Sequence, residues 1–158
     1  MATVVAPALK VITYNIWFDP ARITERTQDI CDIIKEERAD IVCLQEVTPL
    51  TLNILRAKLQ GLYTFTKSHL TQAYDTVILV ANDHELLCVN RHMFDNTIMG
   101  RNVELILVAT SWDEVIVVGN FHIESVFGHE ATSIKRQQLK FSLDKARDLA
   151  SQSTAKCA

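Results

Sequence analysis

The sequence predicts an α+β domain, and two observations lead to this prediction. Before Gly61, two apolar segments rich in β-branched residues alternate with two helical patterns. After Gly61, several short strand patterns follow one another, and a last helical pattern comes near the end of the sequence. Consecutive strands of this kind are typical of one sheet with its helices on one face. A length of 158 residues fits a single domain, which we expect to span residues 1–158.

The first strand is predicted over 10–18, where KVITYNIWF is almost wholly apolar. Asp19 and Pro20 then indicate a helix start, with the aspartate as N-cap and the proline at the first helical position. The helix presents one apolar face, formed by isoleucines that recur with a helical period: Ile23, Ile30, Ile33 and Ile34.

A second strand and helix follow the same scheme. The segment IVCL at 41–44 predicts a short buried strand, and Thr48 with Pro49 marks the next helix start. Gly61 is placed to end this helix. Its predicted apolar face consists of leucines: Leu52, Leu55 and Leu59.

Five further strands and one helix complete the prediction. The strands are expected at 63–66, 76–80, 86–91, 103–109 and 115–121, and the helix at 130–150. One side of that helix is predicted to carry four apolar residues: Leu139, Leu143, Ala146 and Ala150.

The predicted strands are very apolar for a sheet that is covered on one face only. The segment VIVV at 115–118 is an example, and three predicted helices supply little material to cover it. We therefore expect one face of the sheet to be uncovered. Because large exposed apolar patches mark interaction sites, such a face would favour a dimer or a protein partner.

Composition excludes several classes of protein. Sixteen Lys and Arg residues against nineteen Asp and Glu residues give a net charge of −3, so the chain does not hold nucleic acid through an overall positive field. No apolar run approaches the ~20 residues that cross a bilayer, so we expect no membrane contact. The four cysteines lack CxxC spacing, which favours reduced thiols in an intracellular protein, either nuclear or cytoplasmic.

Two polar residues lie at the ends of the first two predicted strands. Asn15 has apolar neighbours, and a buried amide must be paired or used in a site. Glu46 ends a buried strand beside a helix start, a common position for a site carboxylate, and Mg²⁺ takes one or two carboxylates and several waters. From these residues alone, a structural asparagine and a solvated or capping glutamate remain open.

Two further candidates follow or precede later strands. His122 comes directly after the strand at 115–121 and could bind a phosphate oxygen or transfer protons. Arg101 precedes the strand at 103–109, and its fork of donors suits phosphate. A structural histidine and a surface ion pair are the alternatives on this evidence.

Several motifs together resemble a known superfamily. TYNIWFD, ADIVCLQEV and YDTVILV are similar to successive segments of the endonuclease/exonuclease/phosphatase superfamily. MGRN, FHIESVFGHE and RQQL are most similar to its 5′-tyrosyl-DNA phosphodiesterase branch. The resemblance extends over residues 9–143 and implies a four-layer α/β/β/α sandwich.

The resemblance also implies roles for the four candidate residues. Glu46 matches the glutamate that binds Mg²⁺, and Asn15 matches the asparagine that helps to position metal and phosphate. His122 matches the active-site histidine near the scissile phosphate, and Arg101 matches the arginine of the MGR-like segment. The implied reaction is Mg²⁺-dependent hydrolysis of a phosphodiester, with Mn²⁺ as a possible substitute. The implied substrate is DNA with a 5′-phosphotyrosyl end, in DNA repair.

The sequence departs from the family pattern downstream. The Gly-Asp-x-Asn and Ser-Asp-His motifs of the family do not occur in it. We therefore expect a partial sandwich in a C-terminally truncated domain, with its first sheet and helices present, the second half largely missing and catalysis impaired. A non-catalytic binding module and a sugar- or lipid-phosphate phosphatase of the same superfamily remain alternatives.

Overall fold

The computed structural model describes residues 8–125 and 129–156, with side chains given for 8–125 and 131–153. Residues 126–128 of the FHIESVFGHE motif and Cys157 lie outside the described residues. The elements in chain order are β1 (Val11–Asn15), α1 (Ile23–Glu37), β2 (Ile41–Val47), α2 (Pro49–Leu59), β3 (Tyr63–Phe65), β4 (Asp75–Ala81), β5 (Glu85–Met93), β6 (Asn102–Ala109), β7 (Val115–Phe121) and α3 (His129–Lys156). No helix within these ranges is long and apolar enough to cross a membrane.

The start of α1 differs from the prediction. Asp19 Oδ1 accepts a hydrogen bond from Ala21 N at 2.8 Å, which makes a local turn rather than a helix cap. Arg22 is the N-cap residue and lies in the left-handed region with a φ of 52°. The helix therefore begins after the Asp-Pro pair, because the aspartate side chain accepts a hydrogen bond from Ala21 N and does not cap the first N–H groups of the helix.

The strands form two sheets, so the prediction of one sheet is wrong. The first has the order β1-β2-β4-β3, with β1 parallel to β2 and the other pairs antiparallel. The second is antiparallel, in the order β5-β6-β7. Both edges of β4 are already paired, with β2 and with β3, and β5 therefore starts a new sheet.

The two sheets pack face to face between helices, which confirms the four-layer α/β/β/α class. Helices α1 and α2 cover the outer face of the first sheet, and α3 covers the outer face of the second. The helices thus lie on two faces of the molecule, not on one. The core between the sheets consists of side chains from β2, β4 and β6: Ile41, Cys43, Ile78, Val80, Ile106 and Val108.

The expected uncovered sheet face is also wrong. Residues 77–80 of β4 are fully buried, because the second sheet covers the face that the helices leave open. The exposed apolar side chains of the sheets lie mainly on edge strands, as at Val11 with 50% exposure and Val115 with 42%. The argument for a dimer or a protein partner through a bare sheet face therefore loses its basis.

The buried face of α3 is not the one predicted from its large apolar residues. Leu139 and Leu143 are exposed. Phe141 and Ala146 pack against the second sheet. The buried positions recur at a helical spacing and include two polar residues: Ala131, Gln138, Ser142 and Leu149. Gln138 is buried because its amide is paired on both sides, with Glu124 N and Asn96 Oδ1.

Candidate active site

A β-bulge near the end of β2 aims the side chain of Glu46. Leu44 pairs with Val77 and Val47 pairs with Asp75, so β2 contains one residue more than β4 between these pairs. Glu46 lies in the left-handed region with a φ of 60°. Bulges of this kind redirect side chains next to active sites.

The direction of neighbouring side chains shows what the bulge does. Val42 and Leu44 point towards the helix layer, and Cys43 points towards the second sheet. Regular alternation would turn Glu46 towards the helices and Val47 away from them. Instead Val47 packs against the helices. The extra residue therefore lets the side chain of Glu46 point away from the helix layer.

The carboxylate of Glu46 is buried and held by the end of β1. Its Oε1 accepts a hydrogen bond from Asn15 Nδ2 at 2.9 Å, and its Oε2 accepts one from Phe18 N at 3.2 Å. Asn15 Oδ1 in turn accepts from Trp17 N at 2.9 Å, which fixes the orientation of the amide. Because β1 and β2 run parallel, their carboxyl ends bring Asn15 and Glu46 together.

His122 lies directly after β7 and connects Glu46 with Arg101. Its Nε2 lies 3.5 Å from Glu46 Oε1, and its Nδ1 accepts a hydrogen bond from the Arg101 guanidinium. The Nε2 atom therefore carries the proton of the neutral ring. Burial and the Arg101 charge lower the pKa of His122 below 6.5, although the carboxylates of Glu46 and Glu124 act in the opposite direction.

Arg101 is a buried cation at one end of an aromatic stack. Its side chain lies over the Tyr74 ring, with the guanidinium carbon 5.6 Å from the ring centroid. Tyr74 stacks on Phe18, with a centroid distance of 4.8 Å and an angle of 8° between the rings. Arg101 is only 3% exposed, and its Nε has no hydrogen-bond partner among the described residues.

A cavity of about 220 Å³ opens beside these side chains. Arg101, His122 and Tyr74 line it, together with residues at the start of β4 and β6. The cavity therefore has a cation, a neutral imidazole and the side chain of a tyrosine on its walls. The guanidinium and the imidazole N–H suit a phosphate group, because both donate hydrogen bonds to anionic oxygens.

A pair of amides, which sequence reasoning missed, ties the site to both sheets. Asn120, in β7, accepts a hydrogen bond from Gln45 Nε2 at 2.8 Å. Its own Nδ2 donates to Leu44 O at 2.9 Å and to Val77 O at 3.1 Å. Gln45 precedes Glu46 and Asn120 lies two residues before His122, so the pair fixes the spacing of the two strand ends. A polar residue inside an apolar strand was the available signal.

The structure brings all four predicted residues together in the order Asn15, Glu46, His122 and Arg101. Sequence reasoning missed Tyr74, whose ring lines the cavity, and Phe18, which stacks on that ring. Tyr74 stands directly before the apolar strand β4, but nothing in the sequence pairs it with Phe18, because the two residues are far apart in the chain.

The donor chemistry at Glu46 fits a hard divalent cation. Each carboxylate oxygen accepts one hydrogen bond, from Asn15 Nδ2 or from Phe18 N. An ionised carboxylate has about four lone-pair sites, so acceptor capacity remains on both oxygens. Oxygen ligands of this kind suit Mg²⁺ and Mn²⁺. Among the side chains described at 8–125 and 131–153, no group of three or more His, Cys, Asp or Glu residues could hold a metal ion.

The fold and this arrangement of side chains agree with a match to a known family. Residues 12–144 match the Endonuclease/Exonuclease/phosphatase family, and the chain belongs to it.

Within the family, the chain is similar to tyrosyl-DNA phosphodiesterases. It is 30% identical over 133 residues to tyrosyl-DNA phosphodiesterase 2 from Gallus gallus, a match that covers 84% of this chain and 36% of the relative. The crystal structure of TDP2 from C. elegans superposes with a TM-score of 0.81 at 28% identity, over 91% of this chain and 44% of that one.

The crystal structure of D. rerio TDP2 complexed with a single-strand DNA product is also similar. Its TM-score is 0.77 at 25% identity, over 88% of this chain and 54% of that one. The chain therefore spans little more than a third of the chicken relative and about half of each of the two solved chains.

Proposed function

We propose that this chain carries the metal- and phosphate-binding part of a phosphodiester hydrolase for DNA with a 5′-phosphotyrosyl end. Mg²⁺ is the proposed ion, and Mn²⁺ is a possible substitute. The observation that supports the proposal best is the continuous contact from Asn15 through Glu46 and His122 to Arg101, beside a cavity with an aromatic wall. The names of the similar proteins supply the substrate class.

Glu46 holds the divalent ion in this proposal, and Asn15 keeps its carboxylate in place. When bound, the ion supplies charge neutralisation at the phosphate and lowers the pKa of a bound water. Asn15 is also proposed to contribute its Oδ1 to the ion, since an amide oxygen has two lone pairs and the hydrogen bond from Trp17 N uses one of them.

Arg101 and His122 bind the phosphate in the proposal. The guanidinium offers charged donors at the wall of the cavity, and such donors are strong phosphate ligands. The neutral His122 ring presents its Nε2 proton towards the same side as Glu46 and can donate it to a phosphate oxygen.

Calorimetric titration with Mn²⁺ tests the assignment of Glu46. We expect weak binding by the wild-type chain, because Glu46 supplies one carboxylate to the ion. Glu46→Gln should abolish the binding, since a neutral amide is a far poorer ligand. Glu36→Gln is the matched control, because Glu36 is exposed on α1 and should leave the affinity unchanged.

The substrate class is tested with the same proteins. A 5′-phosphotyrosyl oligonucleotide should bind more tightly than the same strand with a 5′-hydroxyl, and any Mg²⁺-dependent hydrolysis should vanish in Glu46→Gln. Equal Mn²⁺ affinity of wild type and Glu46→Gln would remove the metal assignment. Equal binding of the two oligonucleotides would remove the substrate assignment.

A further inference from the structure

The turn that carries Arg101 comprises residues 94–101 and connects β5 with β6. Two backbone hydrogen bonds close it, from Phe94 N to Arg101 O at 3.2 Å and from Thr97 N to Phe94 O at 3.3 Å. Gly100 has a φ of 69°, which a side chain would make costly. These bonds close the base of the turn, but they leave the amides at its tip without backbone partners of this kind.

The carboxylate of Glu124 binds the tip of this turn. Its Oε2 accepts hydrogen bonds from Thr97 Oγ1 at 2.9 Å, Ile98 N at 2.9 Å and Met99 N at 3.4 Å. Glu124 lies two residues after His122 and is 1% exposed. One buried oxygen thus gathers three donors from consecutive residues of the turn.

Thr97 extends this contact to Arg101 itself. Its hydroxyl donates to Glu124 and accepts a hydrogen bond from Arg101 N at 2.7 Å. The carboxylate is therefore separated from the backbone of Arg101 by a single hydroxyl group. A change at Glu124 reaches the start of the Arg101 side chain directly.

Helix α3 fixes Glu124 and the turn from the other side. Glu124 N donates to Gln138 Oε1 at 2.7 Å, and Gln138 Nε2 donates to Asn96 Oδ1 at 3.1 Å. Gln138 is 1% exposed, so these bonds are made away from water. The helix, the carboxylate and the turn form one connected unit.

Glu124 keeps a buried charge that its local structure only half satisfies. Burial alone would raise its pKa, but the hydrogen bonds from Ile98, Thr97 and Met99 and the Arg101 charge hold the pKa below 4.5. Its Oε1 has no hydrogen-bond partner among the described residues. A buried carboxylate with one oxygen left without a hydrogen bond lowers the stability of the fold. Its contacts with the turn therefore point to a role at the site.

We propose that Glu124 is the positioning residue for Arg101: it binds the turn at residues 97–99 and thereby fixes the guanidinium at the phosphate-binding wall. The inference rests on the proposed function for the role of Arg101 and on the hydrogen bonds above for the role of Glu124. Glu124 does not touch the phosphate in this assignment.

Amide exchange of the ¹⁵N-labelled chain tests the first half of the inference. Glu124→Gln replaces the carboxylate by a neutral amide, so the hydrogen bonds to Oε2 lose their charge. Exchange at Ile98 and Met99 should accelerate by about tenfold or more. The Arg101 Nε–H signal should lose the relaxation properties of an ordered side chain. Asp95→Asn is the matched control, because it removes an exposed carboxylate from the same turn and should change neither signal.

Inorganic phosphate tests the second half. Arg101→Met should weaken phosphate binding, Glu124→Gln should weaken it by a similar factor, and the double variant should bind no worse than Arg101→Met alone. Independent, additive losses would overturn the positioning role, because the two residues would then act separately. If wild type binds no phosphate, the proposed function fails. The amide exchange and the Arg101 Nε–H signal still test whether Glu124 holds the turn and Arg101 in place.

A second variant covers the case in which Glu124→Gln does not fold. Thr97→Val keeps the size of the side chain and the carboxylate but removes the hydroxyl between Glu124 and Arg101. Exchange at the Arg101 amide should accelerate while Ile98 and Met99 stay protected. Unchanged exchange at Arg101 in Thr97→Val, or at Ile98 and Met99 in folded Glu124→Gln, would overturn the inference.

Discussion

His122 is neutral at pH 7 because its surroundings disfavour the charged ring. Burial comes first among these causes, and the Arg101 guanidinium at Nδ1 adds to it. The folded chain therefore binds fewer protons than the unfolded chain between the lowered pKa and 6.5. The contribution of His122 to stability is fully present above pH 6.5 and is lost as the pH falls towards the lowered value.

We expect two variants to move the pKa of His122 in opposite directions. Arg101→Met removes a repelling charge and should raise the pKa, whereas Glu46→Gln removes an attracting charge and should lower it further. An NMR titration of the His122 ring protons measures both shifts. Lys140→Met, an exposed change on α3, serves as the control and should leave the pKa unchanged. A lower pKa in Arg101→Met would contradict the described contact.

At the residue scale, sequence reasoning found the four site residues but not how they meet. Glu46 could be selected from the sequence because a carboxylate ends an apolar strand. Its left-handed φ could not be predicted, because glutamate does not favour that conformation. The extra residue that accompanies it is visible only in the pairing of β2 with β4. The role of Asn120 and Gln45 was not predicted, because a hydrogen bond between amides 75 residues apart leaves no local pattern in the sequence.

At the scale of elements, α2 shows close agreement between sequence and structure. Thr48 is its N-cap, and Thr48 forms a reciprocal capping box with Thr51 in the first turn of the helix. Pro49 stands at the first helical position, where its missing N–H costs nothing. These are local signals, carried by consecutive residues, and they could therefore be recognised without the fold.

Removing this cap should destabilise the chain measurably. Thr48→Ala loses the side-chain acceptor for Thr51 N, and N-cap replacements of this kind cost about 1 kcal/mol. Urea unfolding followed by circular dichroism gives the free energy of unfolding. Thr24→Ala changes an exposed threonine of α1 and should differ from wild type by less than about 0.5 kcal/mol. Equal stability of Thr48→Ala and wild type would show that the cap is not used.

Helix α3 shows the opposite case. Its leucines at 139 and 143 suggested the buried face, yet the buried positions include Gln138 and Ser142. Residue type misleads here, because Gln138 finds partners in Glu124 and Asn96 that no periodicity can reveal. The hydrogen bonds of Gln138 could therefore not be predicted from the pattern of apolar residues along α3.

At the scale of the molecule, buried ion pairs join the two sheets. Lys67, after β3, pairs with Glu104 of β6 at 3.0 Å and with Asp75 of β4 at 3.1 Å. Arg91 of β5 pairs with Asp75 at 2.6 Å. Glu104 is fully buried, so its charge depends on Lys67 for compensation.

Removing one member of this cluster should be more destabilising than removing an exposed ion pair. Lys67→Met leaves the buried Glu104 without a cation and should cost about 3–5 kcal/mol in the free energy of unfolding. Adding Glu104→Leu should recover part of that loss, because the unpaired charge is gone. Lys140→Met breaks an exposed pair with Asp144, which water screens, and should change the free energy of unfolding far less. Similar losses in Lys67→Met and Lys140→Met would contradict this reading.

The arrangement of sheets was the part of the fold least accessible to sequence reasoning. Every strand could be recognised from its apolar, β-branched residues, but a strand pattern does not say which neighbour it pairs with. The turn between β4 and β5 resembles a hairpin turn, and it is the prior pairing of β4 with β2 and β3 that sends β5 to the other sheet. The strands are more apolar than a sheet covered on one face requires, because each sheet covers the other.

Because of the bulge in β2, the position of Glu46 depends on the number of residues in the strand, and the deletion of a single codon would change it. A deletion of the Gln45 codon would restore equal spacing between β2 and β4, and Val47 would still pack against the helices. Glu46 would then occupy the place where the Gln45 amide meets Asn120, out of line with Asn15. Such a deletion would withdraw the proposed metal-binding carboxylate from the site without changing any residue of the site, an outcome that substitution at Gln45 does not reproduce.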